Sequence, residues 1–116
     1  MARTSRDLLN DARRTVPEVT PAQVRQQPGR RLIDVRERDE FDQGYIPGAQ
    51  HLSKGYIETR IEDLVPDRST PLTLYCAAGV RSLLAGRILQ DMGYTDVRNA
   101  GGFKDLVAGG WAVEKG

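Results

Sequence analysis

Apolar side chains recur along the chain in short, alternating runs. Leu8, Leu9, Ala12 and Val16 fall at helical spacing within Thr4–Val16, with Thr4 or Ser5 placed to cap the start and Pro17 to end it. A second helix is written at Thr20, which caps, with Pro21 at the first helical position and Gln23 able to close a capping box. Gln27-Pro28-Gly29 reads as a turn and Arg31–Val35 as a strand. Glu37–Phe41 predicts a helical turn, followed by irregular chain at Gly44–Gly48. Ala49–Leu52 predicts a brief strand and Tyr56–Leu64 a helix. Beyond the loop Pro66–Pro71 comes Leu72–Tyr75, apolar and tightly bounded, a strand. Val80, Leu84, Ile88 and Met92 then mark one face of a helix over Val80–Met92; Leu83, Ala85 and Leu89 widen that face and Gly93 stops it. Asp96–Asn99 predicts another short strand, Gly101-Gly102 a turn and Phe103–Val107 a last helix.

Strands alternating with helices predict an α/β sheet of parallel strands joined by crossovers. Such sheets bind ligands beyond the carboxyl ends of their strands. Asp34-Val35-Arg36 and Cys76–Ser82 both leave predicted strands at that edge, so both point to one place.

The 116 residues fit one domain, and a hydrophobic share of 39% is enough for a core that needs no metal or disulfide staple. Seventeen Lys+Arg against sixteen Asp+Glu leave a net charge of +1, which gives no electrostatic case for nucleic acid or an anionic membrane as partner. No apolar run approaches the length of a membrane span, and the charged start (Arg3, Arg6, Asp7, Asp11, Arg13, Arg14) does not read as a secretory signal. A lone cysteine, Cys76, makes no internal disulfide and no cysteine-rich zinc site, so a reduced cytoplasmic setting is expected. Nothing in the chain calls for a metal or a cofactor.

The chemistry concentrates in Tyr75-Cys76-Ala77-Ala78-Gly79-Val80-Arg81-Ser82. A cysteine ends a strand, small residues follow, and an amphipathic helix begins at once. Gly79 supplies a position where positive φ costs little. A loop wound this way aims backbone N–H groups inward, and the helix start adds its partial positive charge. That cradle favours an anion on the sulfur without a neighbouring histidine. His51 is the one histidine in the chain, and it could form a dyad only by lying beside Cys76.

The loop resembles the active loop of the rhodanese-like (sulfurtransferase) domain family. Leu32-Ile33-Asp34-Val35-Arg36-Glu37, Glu40-Phe41 and Gly44-Tyr45-Ile46-Pro47-Gly48-Ala49 are similar to that family's first signature, and Met92-Gly93-Tyr94 through Gly101-Gly102-Phe103 to its closing region. The segment from His51 to Glu62 with Pro66-Asp67 also resembles the variant fused to ubiquitin-activating-like enzymes. Tyr45 stands where the family usually has histidine, Leu106 where a tryptophan is common and Ala112 where a proline is frequent. The resemblance implies a central parallel five-stranded sheet flanked by helices on both sides. Residues 1–16 would be an N-terminal helical extension and residues 17–116 the rhodanese-like domain. It also implies a mechanism in which the Cys76 thiolate takes sulfane sulfur from a small anionic donor such as thiosulfate. The sulfur is then held as a persulfide and passed to cyanide, a thiol or an acceptor protein. The amides of Ala77, Ala78, Gly79, Val80 and Arg81 would stabilise the persulfide, and the Arg81 guanidinium would attract the donor's anionic end.

Two other readings compete. A cysteine phosphatase or arsenate reductase holds its oxyanion in a loop one residue longer than the four that separate Cys76 from Arg81 here. A non-catalytic interaction module of the same fold would have no use for the cysteine and arginine that this chain keeps. Among the remaining residues, Asp34 and Arg36 share a strand face, as a turn bond and ion pair or with Arg36 adding positive potential at the pocket mouth. Arg60 is a weaker candidate of the same kind. Ser82 reads as a helix-start hydrogen-bonding residue, His51 as packed at a strand end, and Trp111 and Phe103 as seals of the core against the last helix. Gly44, Pro47 and Gly48 set a turn.

Overall fold

The computed structural model describes residues 2–27 and 29–115. Pro28 of the predicted turn lies outside them, while Gly29 does occupy a turn. The helices are α1 (Ser5–Thr15), α2 (Pro21–Arg25), α3 (Arg38–Gln43), α4 (Ile57–Leu64), α5 (Val80–Asp91) and α6 (Phe103–Ala108). The strands are β1 (Arg31–Asp34), β2 (Gln50–His51), β3 (Leu72–Cys76) and β4 (Val97–Gly102). Thr4 caps α1 in a reciprocal box with Asp7, and Thr20 caps α2 in a box with Gln23, with Pro21 opening the helix. A single 3-10 turn, Lys54–Tyr56, leads into α4 where an unbroken helix from Tyr56 was expected.

All strands pair in parallel in the order β2-β1-β3-β4. The expected fifth strand shrinks to one bridge on the outer edge of β4, where Glu18 faces Asn99. Val19 N–H donates to Asn99 O at 2.9 Å and Asn99 N–H to Pro17 O at 2.9 Å. The segment has no room to extend: Pro17 carries no N–H to donate, and Thr20 already turns the chain into α2. A second difference concerns Gly101-Gly102, expected as a turn. They continue β4, because an irregularity between Leu74 and Cys76 shifts the register until Cys76 faces Gly102.

Side-chain alternation divides the core. Ile33, Val35, Leu72, Leu74 and Cys76 project to the face covered by α4 and α5, where Ile57, Ile61 and Leu89 close over them. Leu32 and Tyr75 project to the opposite face, under α2 and α6, with Leu106, Phe103 and Trp111. β3 is buried at every residue, as a strand covered on both faces must be.

Of the stripe Val80, Leu84, Ile88, Met92, only Ile88 and Met92 pack on the core, each partly buried, while Leu83, Ala85 and Leu89, expected to widen the face, are its buried members. Val80 is 44% exposed, and the residues turned inward are Ser82, Leu83, Ala85, Gly86 and Leu89. Small side chains let α5 lie close to its neighbours on two sides. One is the sheet; the other is α1, whose Ala12 and Val16 pack on Leu83. A Cβ on Gly86 would stand 3.0 Å from Val16 Cγ1 and 3.5 Å from Val97 Cγ1. Gly86→Val is therefore expected to wedge α1 from α5 and destabilise the protein by about 1–3 kcal/mol, as overpacking of a filled core does. Urea unfolding measures it, and an unchanged midpoint would mean that α1 is only loosely seated.

Candidate active site

Strand parity decides where the cysteine points. Cys76 follows Leu72 and Leu74 at alternate positions, so its side chain faces α5, whose first residue lies four positions further on. The chain gets there through Gly79, at φ +91° and ψ −5°, a conformation in which other residues are strained. A Cβ at Gly79 would also stand 3.1 Å from Gly101 Cα. Gly102 is just as confined, since a Cβ there would meet Ala77 O at 2.6 Å. The double glycine of β4 is thus the surface on which the cysteine loop rests.

Cys76 is 1% exposed, yet its sulfur is not in purely apolar surroundings. Gly79 N–H donates to Sγ at 3.0 Å and Ser82 N–H at 3.3 Å. Of the loop amides expected to ring the sulfur, from Ala77 to Arg81, only that of Gly79 reaches Sγ. The second donor comes from Ser82, one residue beyond, because the sulfur sits low, under the first turn of α5. The Ser82 hydroxyl stands 3.3 Å from Sγ and 2.7 Å from Asn99 Oδ1 and, with one proton, donates to one of them at a time.

Asn99 was not singled out in the sequence, yet it braces the loop. Its buried amide donates to Gly79 O at 3.1 Å, and its Oδ1 accepts from Ser82 Oγ and, at 2.9 Å, from Gly101 N–H. One side chain thus joins the turn before α5, the first turn of α5 and β4. A polar residue two positions after Val97, and so on the same inward strand face, was the signal that could have revealed it.

Arg36 makes the turn bond and ion pair with Asp34 that one reading of the sequence gave it, whereas Arg81 has a partner that the sequence did not suggest. Arg81 forms a two-pronged ion pair with Glu40, at 2.7 Å and 3.1 Å. Glu40 was read only as part of the first signature. Its carboxyl is held below the usual carboxylate range chiefly by the Arg81 hydrogen bonds. The Arg81 guanidinium is held above its ordinary value first by Glu40 and in smaller part by the Cys76 sulfur. Arg36 is buried and clasps Asp34, with its NH2 also donating to Gly44 O at 2.7 Å. Burial works against its charge and Asp34 more than offsets this, so the guanidinium also lies above its ordinary value. The Arg36 guanidinium lies 4.2 Å from the Phe103 ring centre. Tyr75, beneath it, has its phenol pushed up by burial.

A cavity of about 330 Å³ opens beside the loop, lined by Arg36, Glu40, Gly44, Ala77, Phe103 and Lys104 among others. Arg60 is not part of it; it lies over Tyr56 beside a different hollow with Arg38 and His51. His51 Nε2 is 2.8 Å from Arg36 O, which packs the ring at the strand end and away from any dyad with the cysteine. Tyr45, in the usual place of a histidine, stacks on Phe41 at 4.1 Å, and its hydroxyl donates to Glu114. Trp111 caps the far side, donating its indole N–H to Pro21 O with Arg25 over its ring.

The class of protein that the fold defines is an α/β domain with a cysteine at the end of a central strand, under the start of the next helix and followed by an arginine. Residues 20–108 match the rhodanese-like domain, and the chain belongs to that family. It is similar to the thiosulfate sulfurtransferase PspE of Escherichia coli K12, 42% identical over 74 residues that make up 64% of this chain and 71% of that protein. A solved E. coli rhodanese with anions is 38% identical with a TM-score of 0.69, covering 75% of this chain and 99% of that one. A Rhodopseudomonas palustris protein of unknown function, described as a possible tyrosine phosphatase, has a TM-score of 0.88 at 26% identity, covering 98% and 96% of the two chains.

Asn99→Ala removes three hydrogen bonds at once; it leaves Gly101 N–H without its side-chain acceptor and Gly79 O with only the Leu83 N–H. It is expected to lower stability by about 1–3 kcal/mol, the usual cost of stranding buried polar groups. Cys76 should at the same time react faster with a bulky alkylating reagent. Thermal unfolding and the alkylation rate measure the two effects, and unchanged values of both would deny the brace.

Proposed function

We propose that the chain is a sulfurtransferase that carries sulfane sulfur on Cys76. The observation that carries this reading is the sulfur's reception of the Gly79 and Ser82 N–H groups in a loop whose last residue is Arg81. Backbone donors fixed toward sulfur stabilise a negative charge there, first as thiolate and then as persulfide. Likeness to a thiosulfate sulfurtransferase supports thiosulfate as one donor.

The steps balance simply. The Cys76 thiolate attacks the outer sulfur of thiosulfate, the S–S bond of the donor breaks, and sulfite leaves with the electron pair. Cyanide or a thiolate then takes the outer sulfur of the persulfide, and the Cys76 thiolate returns with its electrons. No net redox agent is consumed. Ala77, Ala78, Gly79, Val80 and Arg81 are the loop in which the outer sulfur is held, Ser82 supports it from below, and Asp34 and Arg36 hold the adjoining wall. The tight loop suits one sulfur atom better than a tetrahedral phosphate, which favours sulfur transfer over the phosphatase reading. The acceptor is a small thiol, cyanide or a protein that presents one.

Incubation with thiosulfate is expected to add one sulfur to Cys76, seen by intact-mass spectrometry, and cyanide to remove it as thiocyanate. Cys76→Ser should do neither. An unlabelled wild-type protein that instead hydrolyses an aryl phosphate would replace this reading with the phosphatase one.

A further inference from the structure

The cavity next to the loop is walled by Glu40 and not by Arg81. Arg81 spends two of its donors on the Glu40 carboxylate, and Arg36 spends its own on Asp34 and Gly44 O. Two positive charges that a small anion would seek are thus already matched by carboxylates. Lys104 is the cation on the rim that has no ion-pair partner among the described residues. Glu40 is also held by its own helix start, because the Oε1 that accepts from Arg81 also accepts the Glu37 N–H at 2.9 Å in the box that starts α3. Its carboxylate is therefore held at the edge of the cavity by a second contact besides Arg81.

We propose that Glu40 is a specificity-determining positioning residue, which holds Arg81 back from the cavity and selects sulfur donors of low charge over dianionic ones. This rests on the sulfur-transfer reading and deepens it by naming the donor class. A dianion such as free thiosulfate must approach the Glu40 carboxylate to gain Arg81, and it meets twice the repulsion that a monoanion meets. A thiosulfonate monoanion, or a persulfide whose charge lies on the transferred sulfur alone, is opposed less. Selection here comes from a repulsive element next to an attractive one, which is how charged sites discriminate between related ligands.

Glu40→Gln tests it, since glutamine keeps the oxygen that accepts from Glu37 and loses the charge. With thiosulfate, KM should fall about two- to fivefold while kcat changes by less than about twofold, a range set by partly exposed charge pairs. With benzenethiosulfonate, a monoanion, the gain should be smaller, and added salt should shrink both. In the background of Arg81→Gln the gain should vanish, because it acts through that guanidinium; a purely structural part in capping α3 would not depend on Arg81. Equal effects on both donors, a raised thiosulfate KM, or a gain that survives loss of Arg81 would overturn the proposal. Sulfate, a dianion that gives up no sulfur, separates this inference from the function beneath it. Tighter sulfate binding to Glu40→Gln by calorimetry, with no sulfur transfer in either protein, would keep the charge selection and discard sulfur transfer. Transfer by both proteins with equal sulfate affinity would do the reverse.

Discussion

The structure turns on the hydrogen bonds that Cys76 Sγ accepts from Gly79 and Ser82. They require three separate features to coincide. Alternation along β3 must send the cysteine to the α5 face; Gly79 must take a left-handed turn so that α5 starts directly above the sulfur; and β4 must present glycine where the loop comes down. Change any of these and the amides point elsewhere. The register irregularity that pairs Cys76 with Gly102 belongs to the same arrangement, because it brings the part of β4 that lacks side chains under the loop. Asn99 then ties the pieces together from beneath, and it can do so because its strand position points inward where an apolar residue would otherwise stand.

Around this sulfur the charges are arranged in pairs. Arg36 with Asp34 and Arg81 with Glu40 place two guanidinium–carboxylate pairs along the edge where β1 and β3 end. The inner pair is almost fully buried, so its desolvation cost is met only because Asp34 also accepts the Arg36 backbone N–H and Gly44 O accepts from the guanidinium. It builds the wall. The outer pair is 34% and 32% exposed and lies where a ligand would enter, so water and solute can compete for it. The same two residue types therefore serve as scaffold in one place and as selective surface in the other, and burial is what separates the two roles.

Much of this was legible beforehand, and the misses have physical causes. The caps at Thr4 and Thr20, the strand at Leu72–Tyr75 and the helix starting at Val80 all came from local signals, and local signals hold where a side chain bonds to its own backbone or where a run is apolar throughout. The cysteine loop was legible because its chemistry is continuous in sequence. The buried face of α5 was half legible: Leu83, Ala85 and Leu89, read as widening it, are buried, but it is centred on them and on Ser82 and Gly86, not on the stripe of large apolar residues from Val80. Glu40 and Asn99 were missed for a different reason. Their partners lie 41 and 17 residues away, and no spacing rule links a carboxylate in one crossover to an arginine in the next. The fifth strand failed on a plain hydrogen-bond count, with a proline at one end and a helix cap at the other.

A domain this small builds its cysteine loop by giving up options elsewhere. Gly79 and Gly102 cannot carry side chains, so the loop gains no packing of its own and relies on Asn99 and on α5 for rigidity. α5 in turn is held from outside by α1, through the close contact that Gly86 permits with Val16. The start of α5 supplies an N–H to the sulfur, so any loosening of α1 would reach the site as a tilt of that donor. α1, which packs on α5, thus belongs to the mechanical support of the cysteine. Its contribution is steric and indirect, which explains why nothing in its own charged sequence suggests a part in the chemistry.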